Sequence, residues 1–168
     1  MPTTRRSAEK TLKILVADDT RANREILRVF LEKGGHTVIL AGDGREAVER
    51  FAAENPDLVI MDVMMPVMDG FEATRQIKAR TADRWVPVIF LSALDKDQNI
   101  VEGLESGGDD YLAKPINFVV LEAKIQSFAR TLQLQSSLEE QRQEMAAVSA
   151  NVADGLAAID RLAVQIDL

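Results

Sequence analysis

Short apolar runs alternate with helically spaced apolar positions along most of the chain. The runs are KILVA (13–17), TVILA (37–41), DLVIM (57–61), VPVIF (86–90) and DYLA (110–113), mostly rich in β-branched residues. Each predicts a short buried strand. Between them, Ala22, Ile26, Val29 and Phe30 share one helical face, and Ala47, Val48 and Phe51 another. Phe71, Thr74 and Ile77 form a third, and Ile100, Val101 and Leu104 a fourth. Strand and helix alternate five times, which predicts an α/β domain whose parallel sheet is covered on both faces. A polar tail over residues 1–11 precedes this domain, which extends over residues 12–130.

The pattern changes after Pro115. No proline follows, and Gly155 is the only later glycine; Lys, Gln, Glu, Ala and Leu dominate. One long helix or two stacked helices are expected. Leu121, Ile125, Phe128 and Leu132 keep one phase, as in a helix that still covers the domain. Leu138, Met145, Val152, Ile159 and Ile166 then recur every seven residues, with Gln141, Val148, Gly155 and Leu162 at the companion positions. A seven-residue repeat predicts a left-handed coiled coil over 131–168, and with it a parallel homodimer. The alternative is a helix that folds back on its own chain. Against this, a helix continuous from Ile116 would reach roughly 75 Å, too far to lie on one small domain.

Composition narrows the classes. Apolar residues make up 46% and charged ones 28%, ordinary values for a globular chain. The net charge of −7 and the lack of a dense Lys/Arg block argue against direct nucleic-acid binding. With no cysteine, disulfides, thiol catalysis and Cys-based zinc sites are ruled out. The single histidine, His36, follows the Gly34-Gly35 turn and reads as structural. No apolar run approaches the ~20 residues of a membrane span, and the opening MPTTRRSAEK lacks the apolar core of a secretory signal. A cytoplasmic location is expected.

One strand ends in an unexpected way. In VIMDVMMPVMDG (59–70) the apolar run meets Asp62 and then breaks at Pro66. A charge in such a run is costly unless it is paired or bound to metal. In parallel α/β sheets the strands all end at one edge, where ligands sit. Asp18 and Asp19 follow the first strand, Asp62 the third, Ser92 the fourth and Lys114 the fifth. Three carboxylates, a hydroxyl and an amine therefore converge on one crevice. Packed acids raise one another's pKa, and a hard divalent cation, Mg²⁺ or Mn²⁺, relieves the repulsion through oxygen ligands. The lysine suits a phosphoryl oxygen. A carboxylate so placed is equipped to attack phosphorus and form an aspartyl-phosphate.

The ordered set ILVADDTRANREIL, DLVIMDVMMPVMDGFEATRQIK, VPVIFLSALD and GGDDYLAKPIN resembles the receiver domain of two-component response regulators. The resemblance implies a doubly wound (βα)5 fold of flavodoxin-like strand order 2-1-3-4-5. It also implies phosphorylation by a sensor histidine kinase or a phosphotransfer protein. By position Asp62 is the phosphoacceptor, Asp19 the direct metal ligand and Asp18 the second acid. The backbone carbonyl of Met64 is the third protein ligand. Ser92 occupies the switch hydroxyl position, Lys114 the phosphate-binding lysine and Tyr111 the switch aromatic. Pro115 follows a Lys-Pro bond that is usually cis in the family.

Two other functions are weighed against this one. An aspartyl-phosphate hydrolase would carry a second acid two residues beyond the nucleophile, where this chain has Met64, which transfers no proton. A receiver-like module that is never phosphorylated would not need the complete acid set. Met64 and Leu94, two residues beyond Asp62 and Ser92, flank the approach of an attacking water, so slow loss of the phosphoryl group is expected. Asp69-Gly70 reads as a helix cap and turn, and Trp85 as a cover for the sheet edge.

Overall fold

The computed structural model describes residues 10–93 and 97–166, apart from the side chains of 97–99. The elements in chain order are β1 (Lys13–Ala17), α1 (Arg21–Lys33), β2 (Thr37–Ala41), α2 (Gly44–Glu54) and β3 (Leu58–Asp62). They continue with α3 (Gly70–Ala79), β4 (Val88–Ser92), α4 (Asp97–Glu105), β5 (Asp110–Ala113) and α5 (Phe118–Ile166). All sheet pairings are parallel, in the order β2-β1-β3-β4-β5. This is the doubly wound, flavodoxin-like arrangement.

The sheet is buried on both faces, as its continuous apolar runs require. Leu15, Ala17, Val59, Met61 and Phe90 join one cluster with Ala47, Val48 and Phe51 of α2 and Phe71 and Ile77 of α3. The alternate residues Ile14, Val16, Leu58, Ile60, Ile89 and Leu91 are equally buried and point the other way. Leu27 and Leu31 of α1 and Leu121 and Ile125 of α5 are buried as well.

Two strands start later than the sequence predicts. β3 begins one residue later, and β4 begins at Val88 because Pro87 has no N–H for the ladder. The carbonyl of Pro87 still accepts from Val59 N at 2.9 Å. The shift makes Asp62 and Ser92 the last residues of their strands, with Asp62 beside Leu91 and Ser92 beside Ala113.

Two helices bury a different face from the one predicted. In α1 the buried residues are Leu27 and Leu31, whereas Ile26 and Val29 are exposed. Phe30 is half-buried, with its ring 4.8 Å from that of Phe118. In α4 Gly103 is buried while Val101 and Leu104 are exposed. Gly103 packs closely: a Cβ on it would lie 3.3 Å from the Phe90 ring.

The residues read as structural are satisfied locally. Nδ1 of His36 accepts from Leu12 N at 3.1 Å. Asp69 caps α3 by accepting from Glu72 N at 2.8 Å. Trp85 donates to Asp109 at 2.9 Å, and its ring lies tilted, 5.7 Å from that of Phe128. Asp109 also accepts from Lys78 Nζ and Val88 N, both at 2.8 Å, which fixes the start of β4.

The chain divides into two compact units, Met1–Ala129 and Arg130–Leu168. In the second unit the described residues are helical. Leu134, Leu138, Met145, Val148, Val152, Leu156, Ile159, Leu162 and Ile166 are all exposed there.

Thr74 lies fully buried on α3, and its Oγ1 has no hydrogen-bond partner. An unsatisfied buried hydroxyl costs about 1–3 kcal/mol, and an apolar group of the same shape removes that cost. We expect Thr74→Val to stabilise the protein by about 1 kcal/mol and raise the thermal midpoint by a few degrees. Differential scanning calorimetry checks this.

Candidate functional site

The site is built at the C-terminal edge of the sheet from the ends of β1, β3, β4 and β5. Asp18 directly follows β1, and its amide donates to Ala41 O at 3.1 Å, which extends the ladder by one step. Its side chain is completely buried. Asp62 closes β3 and is 5% exposed, while Asp19 faces solvent. One carboxylate oxygen from each of the three lies within 4.8 Å of the others.

Lys114 follows β5, and its amide donates to Ser92 O at 2.9 Å. Its Nζ stands 3.0 Å from Asp18 Oδ2 and 3.3 Å from Asp62 Oδ2. The Lys114–Pro115 peptide is cis. One lysine against three carboxylates leaves the cluster short of positive charge. The Asp62 carboxyl is pushed up to about 6, chiefly by burial; Lys114 opposes the rise, and Asp18 and Asp19 add to it. For Lys114, burial acts against the charged form, but the hydrogen bonds and charges of Asp18 and Asp62 raise its pKa on balance. An all-oxygen donor set with excess negative charge fits a hard divalent cation such as Mg²⁺.

The other predicted residues stand at defined places. Ser92 is buried at the end of β4, one strand over from Asp62. Met64, two residues beyond Asp62, is 64% exposed. Tyr111 is half-buried on β5, level with Phe90, and packs against the core cluster of α2 and α3. Leu94 lies outside the described residues.

Sequence reasoning did not find the supports of Asp18. Thr20 N donates to Asp18 Oδ1 at 2.8 Å, and Nδ2 of Asn23 lies 3.4 Å from both carboxylate oxygens. Arg24 Nη1 donates to the Asp18 backbone carbonyl at 2.7 Å. Helical side chains lean toward the N-terminus of their helix, so polar residues in the first turn of α1 point back to the strand end. That rule, applied to the Asn23-Arg24 pair, was the available signal. Thr20 is the N-cap of α1 but makes no side-chain cap bond, so Asp18 serves the turn and the site together.

Known proteins resemble this chain in sequence and fold. The description "Response regulator receiver domain" matches residues 14–126. Response regulator MprA of Mycobacterium ulcerans is 43% identical over 125 residues, which cover 74% of this chain and 53% of that protein. The chain spans about half the length of the curated relatives it matches. The receiver domain of the Francisella response regulator 1452 is similar in structure, with a TM-score of 0.66 and 35% identity. That match covers 72% of this chain and 98% of the other. The BeF3-activated N-terminal receiver domain of Klebsiella pneumoniae RstA gives 0.65 at 31% identity, over 70% of this chain and 98% of that one.

The raised pKa of Asp62 has a consequence for stability. Without metal, its carboxyl holds a proton more tightly folded, at about 6, than unfolded, near ~3.9. Its contribution therefore favours the folded state below about pH 4 and is lost as pH rises through about 6, by roughly 2–3 kcal/mol in all. In chelator, Asp62→Asn should be more stable than wild type at pH 7.5 by about 2–3 kcal/mol, with the gap narrowing to about 1 kcal/mol at pH 4.5. Urea unfolding of both proteins at the two pH values checks the sign.

Proposed function

We propose that this chain, which belongs to the response regulator receiver family, accepts a phosphoryl group on Asp62 and works as a switch. The donor is a sensor histidine kinase or a phosphotransfer protein in the cytoplasm. The observation that carries this reading is the Asp62 carboxylate at a strand end, 3.3 Å from Lys114 and grouped with Asp18 and Asp19. An Asp62 oxygen attacks phosphorus, and the phosphorus–nitrogen bond to the donor imidazole breaks as the new P–O bond forms. The electron pair of the broken bond stays on the donor nitrogen, and the product is a mixed anhydride. Bound Mg²⁺ or Mn²⁺ supplies further positive charge for the phosphoryl oxygens; Asp18, Asp19, Asp62 and the Met64 carbonyl are the residues that would hold it.

Lys114 gives the protein's own cation to a phosphoryl oxygen and so exchanges a carboxylate partner for the new group. The Ser92 hydroxyl donates to another of those oxygens, and Tyr111 follows it inward as the switch aromatic. Hydrolysis is slow, because Met64 and Leu94 offer no group to orient water or move a proton. The chain is therefore a phosphoacceptor rather than a phosphatase. The second unit supplies the output through a parallel homodimer. Its apolar residues recur in heptads, and the receiver's phosphorylation state sets how the two strands of that stalk pair.

Three experiments test this reading. With acetyl phosphate and Mg²⁺, intact-mass measurement should show one phosphoryl adduct on wild type and none on Asp62→Ala; equal yields would sink the assignment. After the donor is removed, the adduct should decay faster in Met64→Asn and Leu94→Glu than in wild type, about tenfold or more if each supplies an oriented water.

In sedimentation equilibrium at tens of micromolar, the full chain should be a dimer and a chain ending at Arg130 largely a monomer. A monomeric full chain, with or without a phosphoryl mimic, would remove the stalk from the mechanism.

A further inference from the structure

The geometry points to Gly44 as a positioning residue for the metal site: its amide and its lack of a side chain hold the loop that carries Met64. The inference rests on the reading of the Met64 carbonyl as a metal ligand. The loop runs from Val63 to Asp69, between β3 and α3. Its two ends are closed on each other, since Gly70 N donates to Val63 O at 2.8 Å. At the tip, Val67 has φ +70° and Met68 N donates to Pro66 O at 2.8 Å. That combination is a γ-turn in its rarer, strained form.

A β-branched residue is a poor occupant of positive φ. Such positions are strained and persist only where the surroundings over-determine them. Val67 is 76% exposed, so packing of its own side chain does not hold the turn. The hold comes from α2. Gly44 N, one of the amides that a helix start leaves without an internal partner, donates to Met68 O at 3.1 Å. Met68 is thus gripped on both sides: its N–H closes the turn and its C=O is tied to α2.

The approach leaves no room for a side chain. A Cβ on residue 44 would overlap Met68 O, and would lie 2.8 Å from Met68 C and 3.0 Å from Asp69 O. All three are backbone atoms, so no rotamer change relieves the overlap. Gly44 is the first residue of α2, and its φ lies outside the left-handed region, so glycine is needed for space alone. A methyl group here would push Met68 outward, release the strained turn and shift Met64, four residues back in the same closed loop.

Isothermal titration of Mg²⁺ into the full chain at pH 7.5, with amide exchange followed by NMR, tests this. Gly44→Ala should weaken Mg²⁺ binding about tenfold, as loss of a supporting contact behind a metal ligand does. Circular dichroism should show an intact fold, with the Met68 amide losing protection while those of β3 keep theirs. Adding Val67→Gly, which takes positive φ freely, should recover at least half of the loss on a logarithmic scale. Equal Mg²⁺ affinity in wild type and Gly44→Ala, or no recovery in the double variant, would overturn the proposal. A wild type that binds no Mg²⁺ would overturn the metal reading as well. Should Gly44→Ala not fold, the wild type decides: its Gly44 amide must exchange as slowly as those of β3, and a fast one overturns the proposal.

Discussion

The structure turns on one shortage: Lys114 is the only cation paired with the two buried carboxylates, Asp18 and Asp62, among the described residues. Carboxylates free to move would part. Here they cannot, because each sits at the end of a strand whose neighbours on both sides are hydrogen-bonded to it. The sheet beneath them is apolar on both faces, and each fully buried aliphatic side chain contributes about 1.5–3 kcal/mol. The cost of holding Asp62 in this setting is of the order of one such side chain. A domain with this core therefore tolerates a frustrated edge. That frustration leaves Asp62 near its ionisation midpoint at about pH 6 and makes added positive charge favourable.

Much of this was legible in the sequence, for a geometrical reason. Apolar runs of four or five residues leave a strand little choice but burial on both faces, and parallel strands all end at one edge. Asp18, Asp19, Asp62, Ser92 and Lys114 follow from those two statements without knowledge of any contact. The helix faces did not follow. In α1 both Ile26/Phe30 and Leu27/Leu31 are spaced four apart, one position out of phase, so periodicity alone cannot choose between them. The polar neighbours give no help either, since Arg28 bridges Glu25 and Glu32 on the surface. Among the described side chains of α4 the buried position belongs to Gly103, which carries no hydropathy signal at all. The late start of β4 was legible in principle, since Pro87 has no amide to pair.

The supports of the site were hidden for a different reason. Gly44 acts through fit between elements distant in sequence, whereas Asn23 and Arg24 reach only five and six residues back to Asp18; all three residue types fit an ordinary helix start equally well. Gly44 and Gly70 each open a helix after an aspartate cap, Asp43 and Asp69, which accepts from the amide three residues on. Read along the chain, both are cap-and-turn pairs and nothing more. In space they bracket the β3–α3 loop: a Cβ on Gly70 would overlap the carbonyl of Asp62, and one on Gly44 that of Met68. The local signal and the tertiary role coincide, and the local signal masks the other.

The second unit follows the same logic of limited stability. A lone helix gains little from its own hydrogen bonds in water, and most helical stability in proteins comes from packing an apolar face. The exposed heptad residues from Leu138 to Ile166 are the face that the proposed homodimer would cover. Their companion layer is weak in a patterned way. Gln141 places an amide in the seam, and a Cβ on Gly155 would meet nothing within 4 Å apart from its own stretch of helix. In a parallel pair each meets its own copy, Gln141 on Gln141 and Gly155 on Gly155, whereas a shifted register would set the amide against an apolar residue. These layers thus specify register while lowering stability, by about 1 kcal/mol for a mid-helix glycine alone. Carrying a two-state element from one form almost fully to the other takes about 5.5 kcal/mol of differential binding. In the proposed homodimer, weak layers would lower the cost of changing how the two helices pair, which is the change that phosphorylation of the receivers would drive.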